Sequence, residues 1–212
     1  MRFLKGGELD QAEALFNDLI AKKPDEPGLW QMLGITYLQG ERNEEALEVF
    51  DRLLAQDGTN FAVVENKGIA LKGLGRLEEA KACFERGLEI RPDSSEAQNN
   101  LGTVLHEQGD LDAAEETFRR ALKGAWGYAD AHFNLGRVLR TKGKPEAALG
   151  SLHEAQRVKP DWIEVGMEIV EALVDLGRYE VARTEVDKWC ERAPGFAAVH
   201  DLRKRVLART QG

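Results

Sequence analysis

Apolar and polar residues along this chain repeat with a period of 34 residues. One column of the repeat is always alanine, and the residue four positions later is always large and apolar. Two further columns carry glycine in most repeats, and another carries proline in most repeats. A fixed period of this size indicates an array of one small structural unit. The alanine column comprises Ala12, Ala46, Ala80, Ala114, Ala148 and Ala182.

Within each repeat the apolar residues follow helical spacing. Trp30, Leu33 and Tyr37 lie three and four positions apart, and Phe50 follows Ala46 by four. Residues at these distances share one face of a helix. Glycine near the middle of the repeat and proline near its end interrupt the helical pattern. The sequence therefore predicts two short antiparallel helices per repeat, whose recurring residues serve mainly in packing.

The residues of one repeat carry a specific resemblance. Trp30-x-x-Leu33-Gly34-x-x-Tyr37, followed by Ala46-x-x-x-Phe50, resembles the tetratricopeptide repeat (TPR) signature. The resemblance covers nearly the whole chain. It implies an all-α fold, an α-solenoid in which antiparallel helix pairs wind into a right-handed superhelix. The expected divisions are a partial N-terminal repeat at 1–26, mainly its second helix, TPR units at 27–60, 61–94, 95–128, 129–162 and 163–196, and a C-terminal capping helix at 197–212.

The sequence departs from the signature at two internal positions and at its start. Trp126 stands where proline is expected, and Val170 stands where glycine is expected. Only residues 2–5 precede the first turn glycines, so the first repeat lacks most of its first helix. We expect the chain to be a fragment of a longer array. The alternative is an open N-terminal half-repeat that self-associates.

Composition narrows the classes of partner. The net charge of −8 and the pI near 5.2 argue against nucleic acid or an anionic membrane as the main partner. No apolar run approaches the length that inserts into a membrane, and the N-terminus has no apolar signal core. Cys83 and Cys190 are expected to be reduced packing residues. These features favour a cytoplasmic location.

No motif in the sequence calls for a catalyst. The four histidines are scattered without metal-ligand spacing, and no nucleophile elbow or phosphate-binding loop is present. Gly73-Leu-Gly75 follows a predicted helix and coincides with the repeat turn, so it does not indicate a dinucleotide site. Acidic pairs such as Glu44-Glu45 open the second helices, where they interact with the helix dipole. We therefore expect no enzyme activity, no cofactor and no metal.

The resemblance also implies a binding surface. In TPR proteins the first helices line a concave groove, in which ligands usually lie as extended peptides. The sixth residue of three successive repeats is asparagine, whose amide both donates and accepts hydrogen bonds toward a peptide backbone. The alternative is that these residues are merely solvated. The candidate peptide-binding residues are Asn66, Lys72, Asn99, Asn100, Thr103, Asn134, Arg137 and Arg140.

Charges on this predicted groove differ along its length. Arg137, Arg140 and, further back, Lys72 form a basic zone, which predicts an acidic segment on the partner. An acidic zone follows toward the C-terminus. The TPR carboxylate clamp for chaperone C-termini requires lysine and asparagine where Gln31 and Ile35 stand, so chaperone binding is not predicted. The acidic zone comprises Glu164, Glu168, Glu171 and Asp175.

Two functional hypotheses follow from the sequence. The first is a non-catalytic protein–protein interaction scaffold that binds a peptide segment of a partner in the concave groove. The alternative is a TPR targeting module cut from a larger enzyme, for example a glycosyl- or sulfotransferase. Self-association through the N-terminal half-repeat is compatible with both hypotheses.

Overall fold

The computed structural model describes residues 6–210 of the chain. Over that range the backbone forms twelve α-helices and no β-strand, which confirms the predicted all-α fold of helix pairs. The helices are α1 (Gly6–Lys22), α2 (Pro27–Gln39), α3 (Asn43–Gln56), α4 (Phe61–Gly73), α5 (Leu77–Ile90), α6 (Ser95–Glu107), α7 (Leu111–Gly124), α8 (Ala129–Thr141), α9 (Pro145–Val158), α10 (Ile163–Asp175), α11 (Tyr179–Arg192) and α12 (Ala197–Thr210).

The helices fall into two compact units, Met1–Gln108 with α1 to α6 and Gly109–Gly212 with α7 to α12. Within each unit every helix packs on the next one along the chain. In the first unit α4 also contacts α2 and α6, and in the second unit α10 contacts α8 and α12. Alternate helices therefore lie side by side on one face of each unit. The remnant of a first helix expected at residues 2–5 lies outside the described residues.

Glycine and a large apolar residue face each other inside the helix pairs. A Cβ atom at Gly34 would lie 2.6 Å from the Phe50 ring, and one at Gly136 would lie 2.6 Å from Leu152 Cγ. Because each large side chain occupies this space, only glycine lets the two helices approach so closely. The neighbouring alanine column is fully buried at Ala46, Ala80, Ala114, Ala148 and Ala182, whereas Ala12 in α1 is partly exposed.

The pair α10 and α11 packs with a different distribution of volume. Val170 replaces the glycine of the other pairs, and Val186 stands where most repeats have phenylalanine. Both valines are fully buried, so the larger residue on α10 is matched by a smaller one on α11. At Gly166 the order of sizes is reversed. The small residue is on α10, and the large Trp189 ring of α11 fills the space where a side chain at Gly166 would stand. The departure at Val170 therefore leaves this helix pair closely packed.

Each turn within a helix pair contains one residue in the left-handed backbone region. Gly75 has φ 71°, and Gly143 and Gly177 have φ 70°, a conformation that favours glycine. In the turn between α2 and α3, the residue in this region is Glu41 with φ 57°, whereas Gly40 has φ −90°. The glycine in this turn is thus displaced by one position from the residue whose backbone requires it.

A recurring side-chain bond ties four of the described connecting loops to the following helix. Trp30 Nε1 donates to the Pro24 carbonyl at 2.9 Å, and Gln98 Nε2 donates to the Pro92 carbonyl at 3.3 Å. The same loop position is bonded by two histidines in the second unit. These bonds give the loop carbonyls a hydrogen-bond donor and hold the entry into α2, α6, α8 and α12. The histidine bonds join His132 Nε2 to Trp126 O and His200 Nε2 to Pro194 O, each at 2.8 Å.

The two ends of the described chain differ in how their helices are covered. On α12, Val199, Leu202 and Val206 are buried and the basic residues between them are exposed. This amphipathic pattern leaves one side of α12 exposed to solvent. On α1, Ile20 is buried, whereas Leu15 is 55% exposed.

Candidate functional site

In the first unit the predicted amides lie on neighbouring helices. Asn66 on α4 and Asn100 on α6 are both half-buried, and α4 contacts α6. Asn100 Nδ2 donates a 3.2 Å hydrogen bond to Glu65 Oε2. One donor of Asn100 is therefore used within the protein, and its remaining donor and its acceptor are available to a ligand.

The three other predicted residues of this unit differ in their exposure and in the hydrogen bonds that they can offer to a ligand. Asn99 is only 7% exposed, so its side chain belongs to the interior of the unit. The Thr103 hydroxyl donates to the Asn99 carbonyl at 2.9 Å, which leaves it only acceptor capacity toward a ligand. Lys72 is half-buried in the last turn of α4. Asn66, Asn100, Thr103 and Lys72 are thus half-exposed, whereas Asn99 is buried.

The buried carboxyl group of Glu65 was not predicted from the sequence. Its side chain lies on α4 and is 5% exposed, and its Oε1 atom is buried without a hydrogen-bond partner within the described residues. Burial raises the pKa of Glu65 to about 7, against the lowering effect of the Asn100 hydrogen bond and with a further raising effect of Glu96. The feature of the sequence that could have indicated this buried carboxyl group is Gly87, because the carboxyl group fills the space beside that glycine.

In the second unit the predicted arginines are engaged by the predicted acidic zone. Arg140 Nε lies 2.9 Å from Glu168 Oε2, and Arg140 Nη1 lies 3.3 Å from Asp175 Oδ2. Arg137 Nε lies 3.6 Å from the other oxygen of Glu168. The two arginines of the predicted basic zone and two carboxylates of the predicted acidic zone therefore form one ion-paired cluster between α8 and α10. A carboxylate on a partner has to compete with Glu168 and Asp175 for these guanidinium groups.

Two aromatic side chains lie close to this cluster and were not predicted. The ring centroids of Phe133 on α8 and Trp162, the residue preceding α10, are 4.7 Å apart. The Arg137 guanidinium lies 5.7 Å from the Phe133 ring centroid, and the Lys159 ammonium lies 4.5 Å from that of Trp162. Asn134 is half-buried next to Phe133 in sequence. This face of the second unit therefore combines an amide, paired charges and an apolar aromatic surface.

The described residues do not meet the requirements of metal sites, membrane spans or reactive thiols. Between residues 6 and 210 there is no group of three or more metal-ligating side chains. Over the same residues no helix has both the length and the apolar character needed to cross a bilayer. Cys83 and Cys190 are unbonded, and burial raises the pKa of both thiols. Because the thiolate is the reactive form, neither cysteine is activated as a nucleophile.

Family models of the tetratricopeptide repeat match most of the chain. One tetratricopeptide repeat model matches residues 3–66 and 105–167, and a second tetratricopeptide repeat model matches residues 66–129. No curated protein sequence matches the chain.

Solved structures with the same fold include three proteins of low sequence identity. A tetratricopeptide repeat protein from Parabacteroides merdae ATCC 43184 has a TM-score of 0.78 at 19% identity, covering 96% of this chain and 81% of its own. MamA from Desulfovibrio magneticus RS-1 has a TM-score of 0.72 at 21% identity, covering 80% and 96%. YrrB, described as a TPR protein with an unusual peptide-binding site, has a TM-score of 0.66 at 20% identity, covering 89% and 97%. These structures share the fold of the chain, and the family models, which match more than half of its residues, show that it belongs to the tetratricopeptide repeat family.

Proposed function

We propose that this chain is a non-catalytic interaction scaffold that binds an extended peptide segment of a partner protein along the first helices of its repeats. The TPR family consists of protein-interaction modules, which indicates a protein or peptide partner. We further propose that the chain recognises this peptide mainly through hydrogen bonds to the peptide backbone, which the side-chain amides of the first helices would form.

The observation that carries the proposal is the placement of Asn66 and Asn100. These side chains occupy the same column of two repeats, on helices that contact each other, and both remain half-exposed. A side-chain amide pairs with a peptide N–H and C=O independently of the peptide's own side chains. Repeating such an amide from helix to helix suits an extended chain, which presents its backbone groups at regular intervals.

The second unit supports the same proposal with different chemistry. Asn134 stands in the same column, next to Phe133 and the ion pairs of Arg140. Because Glu168 and Asp175 already pair with the two arginines, we propose that the amide and the aromatic surface contribute more than a free positive charge. The peptide-binding site of YrrB, which shares this fold, is compatible with the proposal. A targeting module of a larger enzyme would use these faces in the same way.

The proposal is tested by selecting peptides from a random display library against the purified chain and measuring their affinities by fluorescence polarisation. We expect the double variant Asn66→Ala, Asn134→Ala to bind the selected peptides at least about fivefold more weakly, since each lost amide interaction contributes on the order of 1 kcal/mol. Asn100 is left intact in this test because its removal would also strip Glu65 of its hydrogen-bond donor.

The matched control is Asn17→Ala, which removes an exposed amide from α1. This variant should bind the selected peptides like the wild-type chain. Circular dichroism should show unchanged helicity for all variants. If the double variant keeps wild-type affinity, the peptide site does not lie on these faces and the proposal is wrong.

A further inference from the structure

The loop after α7 presents a large aromatic side chain to solvent. Trp126 is 64% exposed, whereas the same column holds proline or glycine in every other repeat. Its ring stands edge-on to the His132 ring, with centroids 5.1 Å apart. An exposed indole at a defined position is a frequent element of binding sites, because it offers a large apolar surface with little conformational freedom.

His132 holds this loop in place. Its side chain is 2% exposed, and its Nε2 atom lies 2.8 Å from the Trp126 carbonyl oxygen. Since a carbonyl only accepts hydrogen bonds, Nε2 carries the proton and donates. The other ring nitrogen, Nδ1, is buried and has no partner among residues 6–210. The histidine therefore fixes the backbone that carries the exposed indole.

A cavity of about 350 Å³ lies beside the indole, within the range of small-ligand sites. Leu122 of α7 and Leu135 of α8 contribute apolar walls. Gly150 of α9 also lines the cavity, and a Cβ atom at that position would meet no atom within 4 Å outside the backbone of its own helix. We call this cavity, bounded by Trp126, Leu122, Leu135 and Gly150, the Trp126 pocket.

One charged residue on the rim of the Trp126 pocket has no ion-pair partner among the described residues, and a second shares its partner Glu115 with two lysines. Arg119 is paired with Glu115 at 2.8 Å, and Glu154 is paired with Arg157 at 2.9 Å. Lys123, the remaining charged residue of the rim, forms no ion pair with any described residue. A free ammonium group beside an apolar cavity attracts a carboxylate, even though the chain as a whole has a net charge of −8.

We propose that the Trp126 pocket binds an aromatic side chain of a partner peptide, with the carboxylate of a neighbouring residue paired to Lys123. The apolar walls and the indole receive the ring, and the ammonium group selects the acidic neighbour. This site is separate from the face proposed above. His132 and Leu135 share one side of α8, whereas Asn134 and Arg137 lie on the opposite side of the helix.

The test uses a chain labelled with fluorotryptophan and the blocked dipeptide N-acetyl-Phe-Glu amide as the probe. The chain contains four tryptophans, and Trp126→Phe assigns the fluorine resonance of Trp126. We expect this resonance to shift saturably with the probe and less with N-acetyl-Phe-Gln amide or N-acetyl-Ala-Glu amide. Lys123→Gln should weaken binding about threefold and remove the preference for Phe-Glu over Phe-Gln. Gly150→Leu should fill the pocket and abolish the shift.

The matched control is Ala82→Leu, which introduces the same side chain at the same column of α5, where residue 82 is exposed. This variant should leave the titration unchanged. An unmoved Trp126 resonance at millimolar probe, or a shift that persists in Gly150→Leu, would overturn the proposal. A Trp126 resonance that changes with protein concentration alone would overturn it in favour of a second copy of the chain. These results do not depend on Asn66 or Asn134, so they distinguish this site from the proposed peptide face.

Discussion

The carboxyl group of Glu65 occupies the space in which a side chain at Gly87 would stand. The two residues lie on α4 and α5, and the column of Gly87 holds leucine, alanine or tryptophan in the other full repeats. A polar group is thus buried where other repeats bury apolar volume. Its second oxygen is hydrogen-bonded to Asn100 on α6. The residues therefore link the packing of α4 and α5 to the face that carries the candidate amides.

We predict that Gly87→Ala destabilises the chain by about 1–3 kcal/mol, because the new methyl group displaces the buried Glu65 carboxyl. In the background of Glu65→Ala the same change should be neutral or stabilising, since alanine is favoured over glycine within a helix by about 1 kcal/mol. Urea denaturation of the four chains measures the coupling. Gly150→Ala, at a helical glycine with open space around it, is the control and should stabilise. Equal effects of Gly87→Ala in both backgrounds would contradict the prediction.

We predict that Glu65 makes the chain less stable as the pH rises from about 4.5 to about 7. The folded pKa of Glu65 is about 7, above its ordinary value of 4.5, so the unfolded chain releases the proton at lower pH than the folded chain. The free energy of unfolding should fall over this window by up to about 3 kcal/mol and then level off. Glu65→Gln keeps a neutral side chain at every pH and should remove this fall.

The measurement is the free energy of unfolding against pH for both chains, and the difference between them isolates Glu65. Glu48→Gln, at an exposed glutamate of α3, is the matched control and should follow the wild-type curve. A wild-type and Glu65→Gln difference that stays constant between pH 4.5 and 7 would show that the carboxyl group titrates normally.

We predict that Glu41→Gly stabilises the chain by about 0.5–1 kcal/mol, because Glu41 has the positive φ that glycine adopts without steric cost. The companion change Gly40→Ala should be tolerated, since Gly40 has φ −90° and the nearest atom to its added methyl group would be 3.6 Å away. Thermal unfolding of both variants checks this. If Glu41→Gly were destabilised and Gly40→Ala strongly destabilised, Gly40 would be the glycine that the turn requires.

We predict that Glu168→Gln raises the affinity of the second unit for acidic peptides several-fold, because it releases Arg137 and Arg140 from their shared partner. A glutamate-rich peptide and its glutamine counterpart, titrated at two salt concentrations, measure the gain and its electrostatic origin. Glu164→Gln is the matched control, since it removes the same charge from an exposed position of α10. Equal gains for both variants would show that net charge, and not the released arginines, is responsible.

Much of the fold was predictable because its interactions are local and repeated. The alanine column and the facing glycine and phenylalanine columns predicted helix pairs, and Gly34 and Phe50 pack as that pattern requires. The binding residues were less predictable. Asn99 and Asn100 are adjacent in sequence and both were expected to face a ligand, yet Asn99 is buried and Asn100 is half-exposed. A column position does not give the rotation of a helix against its neighbours closely enough to separate two adjacent residues.

The sequence by itself determined the period, the helix pairs and the family, since these depend on the spacing of apolar residues within 34 positions. The tertiary structure alone decided which polar groups remain available. Arg140 finds Glu168 and Asp175, which lie 28 and 35 residues further along the chain, and Glu65 finds Asn100 at a separation of 35. Each partner comes from the next repeat, so the charge and burial of a side chain depend on the packing of two repeats, which the pattern within one repeat does not contain.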